Sequence, residues 1–208
     1  MPRLARENTL TSFDLAMQLG ADAIELDVHV SADAVVVVHH DAELPDAAGT
    51  PISSLSAVEL VKHGVPTLDD VCDLVGDRVV LYVEAKAPRS ASPIVECLTG
   101  QRVRAAVHSF DYQVVDAVRS LAPGLPVGLL LANRDADALA LARQHAVRDV
   151  WPAVDLIDAR LVDSLHAEGA RVIAWTANNE NDARRLHELG VDGLCTDDVR
   201  AIRAALAI

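Results

Sequence analysis

Ile24-Glu25-Leu26-Asp27-Val28, followed after Ser31-Ala32-Asp33-Ala34 by Val35-Val36-Val37-Val38-His39-His40-Asp41, sets the architecture of this chain. On an extended strand successive side chains alternate between faces, so Glu25 and Asp27 share one face while Ile24, Leu26 and Val28 pack on the other. The connection is too short for a parallel crossover. Val35–His40 must therefore fold back as a hairpin arm, returning His40 toward the end of the strand that carries the two carboxylates. Carboxylates side by side repel each other unless a cation lies between them. The stretch reads as a metal site with an acid/base group beside it.

Outward from Ala23–Val28, short β-branched runs recur at Val79–Glu84, Val103–His108, Val127–Leu131, Asp149–Ala153, Val172–Trp175 and Gly193–Thr196. Segments of helical period lie around them at Thr9–Leu19, Thr67–Leu74, Ser90–Leu98, Tyr112–Leu121, Asp135–His145, Asp158–Glu168 and Glu180–Leu189, with a last helix from Val199. Gly20, Gly169 and Gly190 stand where helices should stop. This alternation is that of an α/β protein built around a parallel sheet. The strands end in polar residues, Glu25/Asp27, Glu84/Lys86, His108/Ser109, Trp175/Asn178 and Asp197, which predicts a (β/α)8 TIM-barrel type of fold short of one unit, with about seven barrel strands. A doubly wound open sheet is the rival, but no glycine-rich phosphate turn follows the first strand. Leu44–Gly64 reads as a surface excursion by its Pro, Gly and Ser content.

With 208 residues and 51% hydrophobic content, the chain can bury one large core, and residues 1–208 read as a single domain. A net charge of −13 without a basic cluster argues against nucleic acid or an anionic membrane as partner. The three cysteines, Cys72, Cys97 and Cys195, lie outside any metal or redox spacing and read as small buried thiols. No apolar run reaches the ~18 residues of an integral membrane segment, and Arg3, Arg6, Glu7 and Asp14 break any secretory leader. A reducing cytoplasm is the expected location, and homo-oligomerisation is left open.

Glu84 closes the run Val79-Val80-Leu81-Tyr82-Val83-Glu84, and Lys86 emerges on the same side if the strand continues. Glu25, Asp27 and Glu84 together make an all-oxygen donor set, suited to magnesium or calcium rather than zinc. Lys86 is then placed to bind a phosphate oxygen. Ordinary strand-end surface charge is the competing reading for Glu84 and Lys86 alone. His39 should face away from His40 and play a structural part, while His29, His63, His145, His166 and His187 have no motif around them and read as surface or helix-face residues.

An ordered series of short motifs resembles the glycerophosphodiester phosphodiesterase family of the phospholipase-C-like barrels. It comprises Glu7-Asn8-Thr9 with Phe13 and Ala16, Gly20–Val28, His40-Asp41 with Leu44, Pro66-Thr67-Leu68, Val83-Glu84-Ala85-Lys86, Ser109-Phe110-Asp111, Trp175-Thr176-Ala177-Asn178, and Gly190-Val191-Asp192-Gly193 with Thr196-Asp197. The resemblance implies metal-dependent hydrolysis of a small-molecule phosphodiester to glycerol 3-phosphate and an alcohol. It implies Glu25, Asp27 and Glu84 as ligands of a divalent cation, His40 as one of two acid/base histidines, Lys86 on the phosphate and Trp175 lining the pocket for the glycerol end. As a lone residue, Trp175 also reads as core packing.

Members of that family begin with a strand ending His-Arg-Gly, which carries the second histidine and a phosphate-binding arginine. This chain runs Met1-Pro2-Arg3-Leu4-Ala5-Arg6 and joins the pattern at Glu7. Pro45-Asp46-Ala47-Ala48 replaces the family's Arg-Thr-Thr, and the insertion there is short. Either the reading frame begins upstream of Met1, the favoured expectation, or the strand is truly lost. Activity is expected to be impaired in this form. His108 is a third route to the missing proton carrier, at a position where the family has a small residue. The alternative functions are a noncatalytic relative that binds a metal or phospho-ligand, and a hydrolase of another phosphodiester such as a lysophospholipid or phosphoinositol.

Overall fold

Side chains that close the first turn of each helix punctuate the chain. Thr9, Ser56 and Thr67 build reciprocal capping boxes with Ser12, Glu59 and Asp70, starting α1 (Leu10–Gln18), α2 (Ala57–Lys62) and α3 (Leu68–Val75). Asp111, Asp137, Asp158, Asn179 and Asp198 cap α5 (Tyr112–Leu121), α6 (Ala138–His145), α7 (Ala159–Ala167), α8 (Glu180–Glu188) and α9 (Val199–Leu206), and α4 spans Ala91–Gly100. Gly20, Gly169 and Gly190 follow helix ends with φ of 87°, 77° and 79°, a conformation a Cβ would penalise. The structure is a computed structural model that describes residues 5–45, 48–134 and 136–207.

The strands are β1 (Ala23–Val30), β2 (Val36–Val38), β3 (Val80–Ala85), β4 (Arg104–Ser109), β5 (Val127–Leu131), β6 (Asp149–Pro152), β7 (Arg171–Ala174) and β8 (Gly193–Leu194). They form one curled sheet in the order β2-β1-β3-β4-β5-β6-β7-β8, parallel throughout except for the hairpin of β1 with β2. The seven parallel strands are those predicted, and Val36–Val38 is the predicted hairpin arm, its register pairing Val28 with Val38. The barrel-type architecture thus holds.

Alternation sorts the side chains into two layers. Outward residues such as Leu26, Val28, Leu81, Val83, Val107, Leu129, Val150 and Val172 are fully or almost fully buried against the helices. Inward residues Tyr82, Ala106, Leu130, Trp151 and Ile173 fill the interior. Beneath them Asp149 is buried between Arg148 and Arg171, and Arg171 also donates to Tyr82 Oη. That satisfied polar floor leaves the C-terminal strand ends as the open rim.

Among the described residues no ladder joins β8 to β1. The helix layer nevertheless meets there, with Arg203 Nη1 of α9 donating to Gly20 O at 2.9 Å. Between these edges runs a cavity of about 510 Å³, bounded by Phe13, Ala16, Ile24, Tyr82, Leu194 and Ile202. It is lined from both the helix layer and the interior.

One reading of local structure changes. Leu44–Gly64 is not merely a loop: a 3-10 turn at Ile52–Ser54 and α2 cover a small separate core of Val37, Leu44, Ile52, Leu60 and Val65. The predicted helix start at Asp135 lies outside the described residues, as do Asp46 and Ala47 of the atypical loop and Met1–Leu4; the described α6 is capped at Asp137.

Candidate active site

Parallel register places Asp27 of β1 beside Glu84 of β3, and Glu84 beside His108 of β4. Side chains in one register row point to one side of a sheet, so all three face the interior near the rim. Glu25 lies two residues below Asp27 on the same face. Glu25, Glu84 and His108 offer ligand atoms within 4.8 Å of one another. Asp27 turns its two oxygens elsewhere: Lys86 Nζ lies 2.7 Å from Oδ1, and Asn8 Nδ2 donates to Oδ2 at 2.9 Å. The same ammonium lies 2.7 Å from Glu84 Oε1, so Lys86 ties two of the three predicted ligands, Asp27 and Glu84, together.

Asn8 adopts φ of 53°, a left-handed conformation that asparagine tolerates better than most residues. Its Oδ1 accepts from the Asp27 N–H while its Nδ2 serves the carboxylate, fixing Asp27 from both sides. This role went unassigned in the sequence, although Asn8 sits within the Glu7-Asn8-Thr9 motif.

The electrostatics follow from burial and charge crowding. Burial, reinforced by Asp27, pushes Glu25 up to about 8. Burial also outweighs Lys86 at Glu84 and raises it. At Asp27 burial is overcome by Lys86 and Asn8, and the carboxyl stays below its ordinary value. Lys86 is held above its ordinary value because Asp27 and Glu84 outweigh its own burial. Burial drives His108 down to about 4 despite Glu84 and Asp27 nearby, leaving a neutral imidazole at neutral pH. Two buried carboxylates and the half-buried Glu25, with one ammonium and one neutral imidazole, make a donor set that fits a divalent cation.

His40 stands at the exposed rim beyond β2, with Nδ1 2.9 Å from Asp41 Oδ1. That contact raises its pKa, assisted by Asp27. His39 is buried with Nδ1 on Asp41 O, and its N–H donates to Asp27 O, so it is structural as read. His29 Nε2 lies 3.1 Å from His40 O, a support that no motif announced. His145 departs from the surface reading, being buried with Nδ1 3.0 Å from Asp116. Cys72 is buried as expected, but Cys97 and Cys195 are partly exposed; Cys97 Sγ donates to Asp69 Oδ1 at 3.4 Å.

Trp175, just past β7, donates from Nε1 to Trp151 O at 2.8 Å and meets Phe110 edge to face at 5.5 Å. Phe110 is 44% exposed, so the pair forms an aromatic wall on the rim. Asn178 and Asp197 close the far side through Asn178 Nδ2 to Asp197 Oδ2 at 2.6 Å.

The model of the glycerophosphoryl diester phosphodiesterase family matches residues 1–201. The chain is 30% identical to a glycerophosphodiester phosphodiesterase of Caldanaerobacter subterraneus, over 92% of this chain and 88% of that protein. It superposes with a TM-score of 0.88 on an Oleispira antarctica phosphodiesterase solved with the product sn-glycerol-3-phosphate, at 23% identity over 97% of this chain and 92% of that one. A glycerophosphodiester phosphodiesterase of Thermotoga maritima gives a TM-score of 0.84 at 24% identity, over 95% and 91%.

Proposed function

The chain belongs to the glycerophosphoryl diester phosphodiesterase family, and from that premise we propose how its own residues hydrolyse glycerophosphodiesters to glycerol 3-phosphate and an alcohol. The observation that carries the reading is the convergence of Asp27, Glu84 and Lys86, with Glu25 beside them, at the C-terminal rim of the strands. We assign Glu25, Asp27 and Glu84 as the cation's ligands, an oxygen set suited to magnesium or calcium. When bound, such a cation offsets negative charge building on the phosphate oxygens. Lys86 has one ammonium to share between carboxylates and a phosphate oxygen. Trp175 and Phe110 offer an apolar wall to the glycerol end.

Hydrolysis forms a P–O bond from water and breaks the bond to the alcohol, so one proton leaves the water and another reaches the departing oxygen. His40, oriented by Asp41, is one proton carrier. The departing oxygen needs a second one at the same rim. We further read residues 1–208 as one domain acting in the cytoplasm; no helix among the described residues is long and apolar enough to cross a membrane.

The test compares turnover of glycerophosphocholine with magnesium or calcium for this chain and for His40→Ala. Loss of one proton carrier predicts a rate lower by about 10²–10⁴ in the variant. Equal, robust rates refute the assignment of His40. Cation binding without turnover in both forms favours a noncatalytic metal- or phospho-ligand-binding role.

A further inference from the structure

His108 is 1% exposed, with the apolar interior on one side and a carboxylate on the other. Its ring stacks on Trp151 at 4.4 Å and 21°, and tilts against Tyr82 at 6.3 Å. Gly128, its register partner on β5, makes room for this arrangement: a Cβ there would lie 3.2 Å from Trp151 Nε1 and 3.0 Å from Asp149 O. The ring is thereby fixed in place. Among the described residues Nδ1 has no hydrogen-bond partner, while Nε2 is aimed at the carboxylates, 3.3 Å from Glu25 Oε1. Here the polar reach of the ring goes into the cluster formed with Glu25 and Glu84.

We infer that His108 is a nitrogen ligand of the divalent cation and turns the preference of the site from magnesium or calcium toward first-row transition ions, for which Mn2+ is the spectroscopic probe. Magnesium and calcium take oxygen donors, whereas imidazole suits ions such as zinc, iron and nickel, and donor type and geometry separate the two classes. The position of His108, in one register row with Asp27 and Glu84, supplies such a donor without moving the backbone. This inference rests on the carboxylate site proposed above, and the experiment separates the two.

Binding of Mn2+ to this chain is followed by electron paramagnetic resonance, with Mg2+ as competitor, for the parent protein, His108→Ala and His108→Gln. Circular dichroism checks the fold, and the glutamine variant retains bulk if the alanine variant does not fold. The parent should favour Mn2+ over Mg2+, and both variants should lose at least about tenfold of Mn2+ affinity with little change for Mg2+. In protein labelled with 15N-histidine, pulsed spectra of the Mn2+ complex should show directly bound imidazole nitrogen, lost in His108→Gln. Cation binding with unchanged preference and no His108 coupling overturns the inference while leaving the carboxylate site standing. Failure of the parent to bind either ion overturns both.

Discussion

Asp27 and Glu84 are register partners across the parallel β1–β3 ladder, and each holds the Lys86 ammonium at 2.7 Å. Two carboxylates this deeply set need a cation, and in the metal-free protein Lys86 is that cation. Lys86→Met is expected to destabilise the metal-free fold by about 3–5 kcal/mol, because one buried partner is removed and the others are left uncompensated. Added divalent cation should then raise the melting temperature more in the variant than in the parent. Calorimetry with and without cation checks this, and an unchanged metal-free melting temperature contradicts it.

The raised Glu25 gives cation binding a definite pH dependence. With its pKa near 8 in the folded, metal-free chain, the carboxyl holds a proton at pH 7 that a cation must displace. Affinity should rise with pH, by up to about tenfold per unit below that value, and level off above it. The linked effect on folding has the opposite sense. A carboxyl raised from 4.5 to about 8 lets the folded chain bind more protons than the unfolded one, so metal-free stability falls as pH rises through that window. Titrations from pH 6 to 9 with isothermal calorimetry measure the first effect, and a flat affinity profile sinks it.

His40 owes its raised pKa first to the Asp41 contact. Asp41→Asn should lower the His40 pKa, read from its imidazole resonances by NMR, and move the corresponding limb of the pH–rate profile to lower pH. His40→Ala should cut turnover by about 10²–10⁴ while leaving cation affinity intact, since His40 lies outside the Glu25–Glu84–His108 cluster. A parallel loss of cation binding would place His40 among the ligands instead.

The aromatic wall makes a simpler demand. Trp175→Ala removes both the Phe110 contact and the anchor on Trp151 O. A loss of about 1.4 kcal/mol of binding would raise KM for a glycerophosphodiester about tenfold, with kcat less affected. Unchanged KM would return Trp175 to a packing role.

Strand alternation made the carboxylate face legible, because Glu25 and Asp27 sit among apolar neighbours whose burial leaves them one side to occupy. The short link before Val35 likewise dictated a hairpin, and glycines marked the ends of α1, α7 and α8. Register was not legible. Nothing in the local pattern of Ala105-Ala106-Val107-His108 says that His108 stands level with Glu84, since that depends on how β3 and β4 slide against each other. Asn8 was hidden for a related reason: its contact spans from the segment before α1 to β1. The helix α2 escaped because it is short and begins in a Pro- and Ser-rich stretch, its signal reduced to the Ser56–Glu59 box. The burial of His145 depends on Asp116, far away in sequence on α5.

Phosphorus NMR of glycerophosphocholine incubated with this chain, with and without divalent cation and alongside Glu84→Gln, decides whether the rim cluster performs the chemistry. Slow appearance of glycerol 3-phosphate that requires the cation and vanishes in Glu84→Gln is the outcome predicted here. Product forming equally well in the presence of chelator, or undiminished in Glu84→Gln, would contradict it.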